Sequence, residues 1–307
     1  EGGGVYGRIA NLTIIDCRIT ENSSDGGGGL YIDISAPTIL NSTLTNNSAR
    51  YGGGQYCLYS DVAFRNCVIA DNTVTDRGGG FYIDKSNPTL VNCLIATNLA
   101  METGGAVFTN GSDHPMFNNC TLADNIATNG GSGFMIFGSS PKLVNCIVWN
   151  STDEIVVETG EGPVVEFSCV RGGYEGESVL DAVPLFIDPD MGDFNLHPNS
   201  PCIDAGNPDM AFYDGCRPPG QGEALNDMGF TGGPNNCESP GESPTPTPTP
   251  TGTLTMTPTA VITPVSDFDL DRNSRVDAID LLMLLQNGSA DGESCFEFSF
   301  DWHLGKH

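Results

Sequence analysis

Residues 78–98 read GGGFYIDKSNPTLVNCLIATN, and variants of this stretch recur along the first half of the chain. In each variant a glycine cluster precedes a large apolar residue, at intervals of 25 to 27 residues: Tyr6, Tyr31, Tyr56, Tyr82, Phe108 and Met135. Two further columns keep nearly the same period, one of Cys17, Ser42, Cys67, Cys93, Cys120, Cys146 and Cys169, the other of Asn22, Asn47, Asn72, Asn98, Asn125 and Asn150. Because the spacing within all three columns follows nearly the same period, they indicate an internal repeat.

Each repeat has the composition of two short strands separated by turns, with no room for a helix. A unit of this size cannot bury a core alone, but stacked units bury a continuous one. The sequence therefore predicts an all-β solenoid. Equivalent residues of successive coils lie about 4.8 Å apart in such a stack. The Asn column is then expected at a left-handed turn position, where one side chain hydrogen-bonds to the next.

Apolar residues flank the cysteine column, three positions before it and two after it, as with Leu90 and Ile95 around Cys93. Side chains of a strand point alternately to its two faces, so residues an odd number of positions apart lie on opposite faces. For both apolar residues to face the core, this alternation must be interrupted once, at a corner. The column cysteines are expected as stacked buried thiols, because parallel rungs give poor disulfide dihedrals. If the compartment is oxidising, Cys216 and Cys237 are the favoured disulfide pair.

The glycine clusters GGGLY, GGGFY and GGAVF, together with ITEN, IADN, IATN and LADN, resemble the repeats of polymorphic outer-membrane adhesins and of secreted right-handed parallel β-helix proteins. This resemblance covers residues 1–170. It implies a right-handed parallel β-helix of about seven coils.

Residues 184–209, PLFIDPDMGDFNLHPNSPCIDAGNPD, are similar to the closing segment of bacterial surface β-helix proteins of the choice-of-anchor type. We accordingly interpret residues 171–242 as the final coil and an acidic cap. Residues 151–242 hold 18 acidic and two basic residues. Two interpretations remain open: a solvated acidic surface, or extra calcium sites among Asp188, Asp190 and Asp193.

The chain of 307 residues carries 12 Lys and Arg against 39 Asp and Glu, a net charge of −27. That charge argues against nucleic acid or an anionic membrane as a partner. No apolar run is long enough to span a bilayer, so membrane insertion is not expected. The sequence opens inside a repeat without a signal peptide, from which we expect a processed form.

Residues 243–264 form a Thr/Pro-rich linker, a composition that favours extended polyproline II geometry and cannot bury a core. Such tracts are common substrates for O-glycosylation outside the cell. The candidate sites are Thr245, Thr247, Thr249 and Thr251.

Residues 265–307 contain a loop with calcium-ligand spacing. Positions 1, 3, 5, 9 and 12 carry oxygen side chains and position 7 offers a carbonyl: Asp269, Asp271, Asn273, Asp277 and Asp280, with Arg275 for the carbonyl. The loop and the following helix resemble the first half of a dockerin, which implies one bound Ca²⁺. Residues 288–307 hold no second loop, and a site of this kind favours an extracellular or cell-surface location.

The C-terminal tail alternates apolar and polar residues, with Phe296, Phe298, Phe300 and Trp302 on one side. A strand and an amphipathic helix both fit this spacing. As a strand, the tail is suited to adding to an exposed sheet edge. The sequence enters its first coil at Val5 and Tyr6 without a preceding cap, and we expect the tail of one copy to dock there on the next copy.

These features lead to three candidate functions. The first is an extracellular structural protein that assembles head to tail, with copies of itself, into a filament or surface layer. The second is a carbohydrate-binding surface adhesin with a sugar platform of Tyr31, Tyr56, Tyr82 and Phe108, whose outward or inward orientation is left open. The third is a polysaccharide lyase or hydrolase. An enzyme is not expected, because the basic residues lie near no evident carboxylate constellation: Arg18, Arg50, Arg65, Arg77, Lys85 and Lys142.

Overall fold

A computed structural model of the protein describes residues 2–111 and 114–237. Its strands form four parallel sheets, labelled A to D in the order in which the chain meets them within a coil. Sheet A has seven strands: Val5–Arg8, Leu30–Asp33, Gln55–Leu58, Phe81–Asp84, Val107–Asn110, Phe134–Phe137 and Ile155–Thr159. Sheet B has eight: Thr13–Ile15, Thr38–Leu40, Ala63–Arg65, Thr89–Val91, Met116–Asn118, Lys142–Val144, Val164–Glu166 and Gly176–Glu177.

Sheet C has seven strands: Arg18–Thr20, Thr43–Thr45, Val68–Ala70, Leu94–Ala96, Thr121–Ala123, Ile147–Trp149 and Cys169–Val170. Sheet D has four: Ser48–Tyr51, Thr73–Arg77, Leu99–Ala100 and Ile126–Ala127. An antiparallel pair, Phe186–Asp188 and Asp193–Leu196, and two 3₁₀ turns, Pro189–Met191 and Met210–Phe212, complete the described elements. The predicted all-β parallel solenoid is thus confirmed. No helix of the described chain is long and apolar enough to cross a membrane.

The solenoid interior is filled by the inward-pointing side chains of the strands, and each coil contributes one side chain at every such position. Leu90, for example, lies between Phe64 and Phe117 of the neighbouring coils, in matched register. These inner residues form one continuous cluster that runs through all the coils. The glycines keep the coils close, since a Cβ at Gly79 would lie 2.4 Å from the carbonyl oxygen of Gly105 in the next coil.

The second strand predicted for each repeat contains the cysteine column. In the structure it is divided into two short strands, one in sheet B and one in sheet C. Between them stands a residue in the left-handed conformation, such as Asn92 at φ 52°. This corner is where the alternation slips, as the odd spacing of Leu90 and Ile95 predicted. Both side chains consequently point into the core.

The Asn column forms the predicted ladder. Each side-chain amide donates to the side-chain oxygen of the next asparagine at 2.9–3.0 Å, from Asn22 to Asn150. The expected left-handed conformation, however, belongs to the preceding residue, such as Thr97 before Asn98. The left-handed residue turns the chain, and the asparagine after it then faces inward, where its amide reaches the next coil.

The prediction of stacked buried thiols is confirmed for Cys67, Cys93, Cys120 and Cys146, which are fully buried and unbridged, whereas Cys17 in the first coil is partly exposed. The assignment of Cys169 to the column was wrong. Ser168 takes that place, since its hydroxyl accepts from the Cys146 N–H at 2.9 Å, as Ser42 does from Cys17 at 3.0 Å. The coil between Cys146 and Ser168 is shorter than the others, 22 residues, which shifts the column by one.

The chain completes its last parallel pairing near Leu180, where Tyr174 and Val179 pack against the end of the core. Residues 181–237, which we call the lateral segment, then turn back and lie along the outer side of sheet C. There Phe194 and Phe230 pack on the outward residues Leu94, Ala96 and Ala123. The lateral segment therefore covers an apolar side of the solenoid, whereas the closing-segment resemblance implied a cap on its end. Its predicted Cys216–Cys237 disulfide is confirmed, with Cα atoms 4.9 Å apart.

Candidate ligand-binding face of sheet A

The aromatic column predicted as a sugar platform lies on the outer side of sheet A. Its residues pair directly in register, Tyr31 with Tyr56 and Tyr56 with Tyr82. Their strand neighbours Leu30 and Ile32 point into the core and are fully buried. Tyr56, Tyr82 and Phe108 accordingly belong to a separate cluster outside the core.

The rings of this column stack on one another. Centroids of Tyr31 and Tyr56 lie 4.8 Å apart with an interplanar angle of 11°, and those of Tyr56 and Tyr82 lie 4.6 Å apart at 17°. Tyr6 departs from the stack, tilted 50° from Tyr31 at 5.5 Å. Because the ring faces are mostly covered by neighbouring rings, the column offers a ligand its ring edges and hydroxyl groups.

Exposure changes along the column. Tyr6, Tyr31 and Tyr56 are half-buried, whereas Tyr82 and Phe108 are only 8% and 1% exposed. Two groups cover the latter pair. Tyr51 contacts the Tyr82 ring edge-on at 5.4 Å, and the Arg77 guanidinium lies 5.2 Å from the Phe108 ring centroid. The part of the column open to a ligand is therefore the first three tyrosines.

Beside the aromatic column, at the corner between sheets D and A, the structure brings together a set of charged groups that was not predicted from the sequence. We call it the corner cluster: Arg50, Tyr51, Asp76, Arg77 and Glu102. Asp76 pairs with Arg50 at 3.4 Å and with Arg77 at 3.3 Å, and Arg77 reaches Glu102 at 3.7 Å. The two positive charges of the cluster are thus balanced by two negative ones.

The two carboxyl groups of the corner cluster interact. A hydrogen bond to Asp76, and then the negative charge of that residue, raise the pKa of the Glu102 carboxyl, against the opposing effect of Arg77. Burial, followed by a hydrogen bond to Asp76, raises the pKa of the Tyr51 hydroxyl. Asp76 is therefore the central acceptor of the cluster.

On the opposite side of the aromatic column, at the C-terminal ends of the sheet A strands, a second set of polar side chains lines up. Arg8 pairs with Asp33 at 3.1 Å, and the Asn110 side-chain amide donates to Asp84 at 3.1 Å. Burial raises the pKa of Asp84. Leu58 separates Asp33 from Asp84, so these carboxylates do lie two coils apart, as the sequence indicated.

The remaining basic candidates are dispersed. Arg18 lies on sheet C and Arg65 on sheet B, away from the aromatic column. Lys142 pairs with Glu166 at 3.1 Å, and the Lys85 amine lies 3.1 Å from the Tyr59 hydroxyl. Only Arg50 and Arg77 of the six candidates join the corner cluster.

A signal for the corner cluster exists in the sequence. Arg50, Asp76 and Glu102 are spaced by 26 residues, the repeat period, so opposite charges recur at one position of successive coils. The columns that reveal the repeat keep one residue type, whereas this position carries charges of both signs and was therefore not predicted.

The described residues contain no group of three His, Cys, Asp or Glu side chains able to hold a metal ion. The alternative of extra calcium sites at Asp188, Asp190 and Asp193 is thus not supported. Asp193 instead accepts hydrogen bonds from Asn195. The calcium loop Asp269–Asp280, the tail Phe296–Trp302 and the linker threonines lie outside the described residues and remain predictions.

The family model described as right handed beta helix region matches residues 1–122 and 51–179. The chain belongs to this family. The matched residues include every strand of the β-helix and both borders of its aromatic column. Neither a curated protein nor a solved structure matches the chain.

Proposed function

We propose that the protein is an extracellular β-helix protein that binds a neutral polysaccharide along the outer face of sheet A. The fold is consistent with extracellular surface proteins and with polysaccharide-acting enzymes. The observation that carries the proposal is the row of half-exposed tyrosines, Tyr6, Tyr31 and Tyr56, one per coil, between two borders of paired charges.

The spacing of this row suits an extended polymer. Neighbouring rungs lie about 4.8 Å apart along the solenoid axis, so a sugar chain lying along that axis meets a tyrosine in every coil. Tyrosine edges offer hydroxyl groups that donate and accept hydrogen bonds, and the tilted Tyr6 ring offers an apolar surface. A hydroxyl-rich ligand is the class that matches this mixture.

Charge favours a neutral polymer over an acidic one. The arginines beside the row, Arg8, Arg50 and Arg77, are each paired with a carboxylate. The chain carries a net charge of −27, so an anionic polysaccharide approaches against a repulsive field.

Binding without hydrolysis is proposed because of the way Asp76 and Glu102 are arranged. Asp76 raises the pKa of the Glu102 carboxyl through a hydrogen bond and through its charge, so the two groups act on each other, whereas retaining glycosidases place the bond to be cut between two carboxyl groups about 5 Å apart. Both groups are further occupied by Arg77.

An extracellular location is supported by the Cys216–Cys237 disulfide, because such bonds form and persist in oxidising compartments. Head-to-tail assembly through the C-terminal tail stays a second proposal, and its docking site shares Tyr6 with the tyrosine row. Its test is removal of residues 290–307. The full chain is expected to form fibres or layers under the electron microscope with calcium present, and the truncated chain to stay monomeric; fibres from both would contradict the role of the tail.

The binding proposal is tested by affinity electrophoresis and calorimetry with soluble neutral and acidic polysaccharides. The triple variant Tyr6→Phe, Tyr31→Phe, Tyr56→Phe retains the rings and removes the hydroxyls. Each lost hydrogen bond is expected to weaken neutral-glycan binding roughly two- to tenfold. The matched control is Tyr59→Phe, at an exposed tyrosine on a different corner. Unchanged binding in the triple variant, or binding of acidic polymers only, overturns the proposal.

A further inference from the structure

Two cysteines outside the core column meet where the lateral segment packs on the last coil. Cys169 belongs to the last strand of sheet C, and Cys202 belongs to the lateral segment. Both are fully buried, in one apolar cluster with Ile147, Leu196 and Met228. Each thiol shifts the pKa of the other.

We propose that Cys169 and Cys202 form a second disulfide, which ties the lateral segment covalently to the β-helix. Both are thiols in this structure. Cys216–Cys237 closes a loop within the lateral segment, whereas a Cys169–Cys202 bond joins that segment to the coils. This inference is independent of the proposed glycan binding.

The geometry separates this pair from the column cysteines. Cys67, Cys93 and Cys120 stand on adjacent parallel rungs, where side chains leave the backbone in the same direction and give poor disulfide dihedrals. Cys202 approaches from a different segment, which packs against the outer side of sheet C. The backbone around it is anchored, because the Cys202 carbonyl accepts from the Met228 N–H at 2.9 Å and its N–H donates to the Ser200 hydroxyl at 3.1 Å.

In the packed protein the two thiols perturb each other: Cys202 lowers the pKa of the Cys169 thiol, and Cys169 raises the pKa of Cys202. The Cys169 sulfur also contacts the Ala182 carbonyl at 3.1 Å.

The oxidant is a small-molecule disulfide of the compartment, such as oxidised glutathione. The Cys169 thiolate attacks its S–S bond, forms a mixed disulfide and releases one thiol. The Cys202 thiolate then displaces the second thiol and forms the Sγ–Sγ bond. The two protons lost by the cysteines are taken up by the two released thiolates. Because both sulfurs are buried in the folded protein, the reaction belongs to folding, before the lateral segment packs.

The first test is peptide mapping by mass spectrometry. The full chain is refolded in a glutathione redox buffer, denatured without reductant, alkylated and digested. We expect a linked peptide pair that contains Cys169 and Cys202 and is two hydrogens lighter than the separate peptides, together with the Cys216–Cys237 pair. The column cysteines Cys93 and Cys120 are the internal control and are expected to be alkylated. Alkylation of both Cys169 and Cys202 in protein whose Cys216–Cys237 bond is intact overturns the proposal.

A second measurement does not depend on recovering the peptides. In the variant Cys216→Ser, Cys237→Ser, reductant is expected to lower the melting temperature by roughly 5 to 10 °C, because a bond between residues 169 and 202 closes a long loop of the unfolded chain. Adding Cys202→Ser to that variant should abolish the difference. If reductant leaves the melting temperature of the first variant unchanged, the second disulfide is absent.

Discussion

The side-chain amide of Asn72 donates a 2.9 Å hydrogen bond to the side-chain oxygen of Asn98 in the next coil. The same amide donates to the Leu44 carbonyl at 2.9 Å, and the Asn98 oxygen also accepts from the Asn72 N–H at 3.1 Å. The inner ladder asparagines Asn47, Asn72, Asn98 and Asn125 satisfy backbone groups of neighbouring coils in the same way, and all four are fully buried. This arrangement makes the ladder a principal determinant of coil register.

Replacing Asn98 by alanine is expected to lower the free energy of unfolding by about 3 to 5 kcal/mol, because it leaves several buried donors and acceptors of adjacent coils unpaired, each costing about 1 to 3 kcal/mol. Urea denaturation followed by circular dichroism measures the change. Asn129→Ala, at an exposed asparagine, is the control and should cost less than about 0.5 kcal/mol. Similar losses at the two positions would show that the ladder is not a main source of stability.

Replacing Cys93 by serine is expected to be mild, at about 1 kcal/mol, although Cys93 is fully buried. The column already holds Ser42, whose hydroxyl donates to the Leu40 carbonyl at 2.7 Å and accepts from the Cys17 N–H. Ile95→Ala, two residues on, should cost about 2 to 5 kcal/mol because it leaves a cavity. Chemical denaturation of both variants gives the comparison, and a larger loss for Cys93→Ser would contradict the equivalence of the column positions.

The pH dependence of stability is expected to be the reverse of that of an ordinary ion-paired protein. Burial raises the pKa of Asp214 to about 7 and that of Asp227 to about 6, from an ordinary value of 3.8. A carboxyl with a raised folded pKa holds its proton more tightly in the folded state, so it favours folding in acid and loses that effect as the pH rises through the folded pKa. The melting temperature should therefore fall between about pH 4 and pH 7.

The variant Asp214→Asn should reduce this fall, since the amide does not ionise. Glu161→Gln, at an exposed position with the same change of charge, is the control. Melting curves recorded by circular dichroism between pH 4 and pH 8 are the measurement. A melting temperature that rises across this range would contradict the assignment.

The calcium loop is tested on the full chain by calorimetry. One calcium ion is expected to bind, and Asp269→Ala with Asp271→Ala should abolish binding, because an oxygen cage that loses two charged ligands keeps little affinity. Asp188→Ala with Asp190→Ala removes the same charge from the lateral segment and should leave binding intact. If the wild-type chain takes up no calcium at millimolar concentration, the loop assignment is wrong.

The sequence by itself determined the solenoid, the Asn ladder and the thiol stack. These features follow from the repeat, because stacking places residues one period apart directly above one another, as with Asn72 and Asn98. Even the corner between Leu90 and Ile95 was implied, since an odd separation cannot keep both side chains on one side of a straight strand.

Only the tertiary structure decided the corner cluster, the place of the lateral segment and the meeting of Cys169 with Cys202. Tyr51 and Arg77 come together through the bend between sheets D and A, where the register shifts. The lateral segment has no repeat, so nothing in its spacing indicates which side of the solenoid it covers. Its position follows from shape and burial: sheet C is apolar on its outer side at Leu94, Ala96 and Ala123, and Phe194 and Phe230 remove that surface from water.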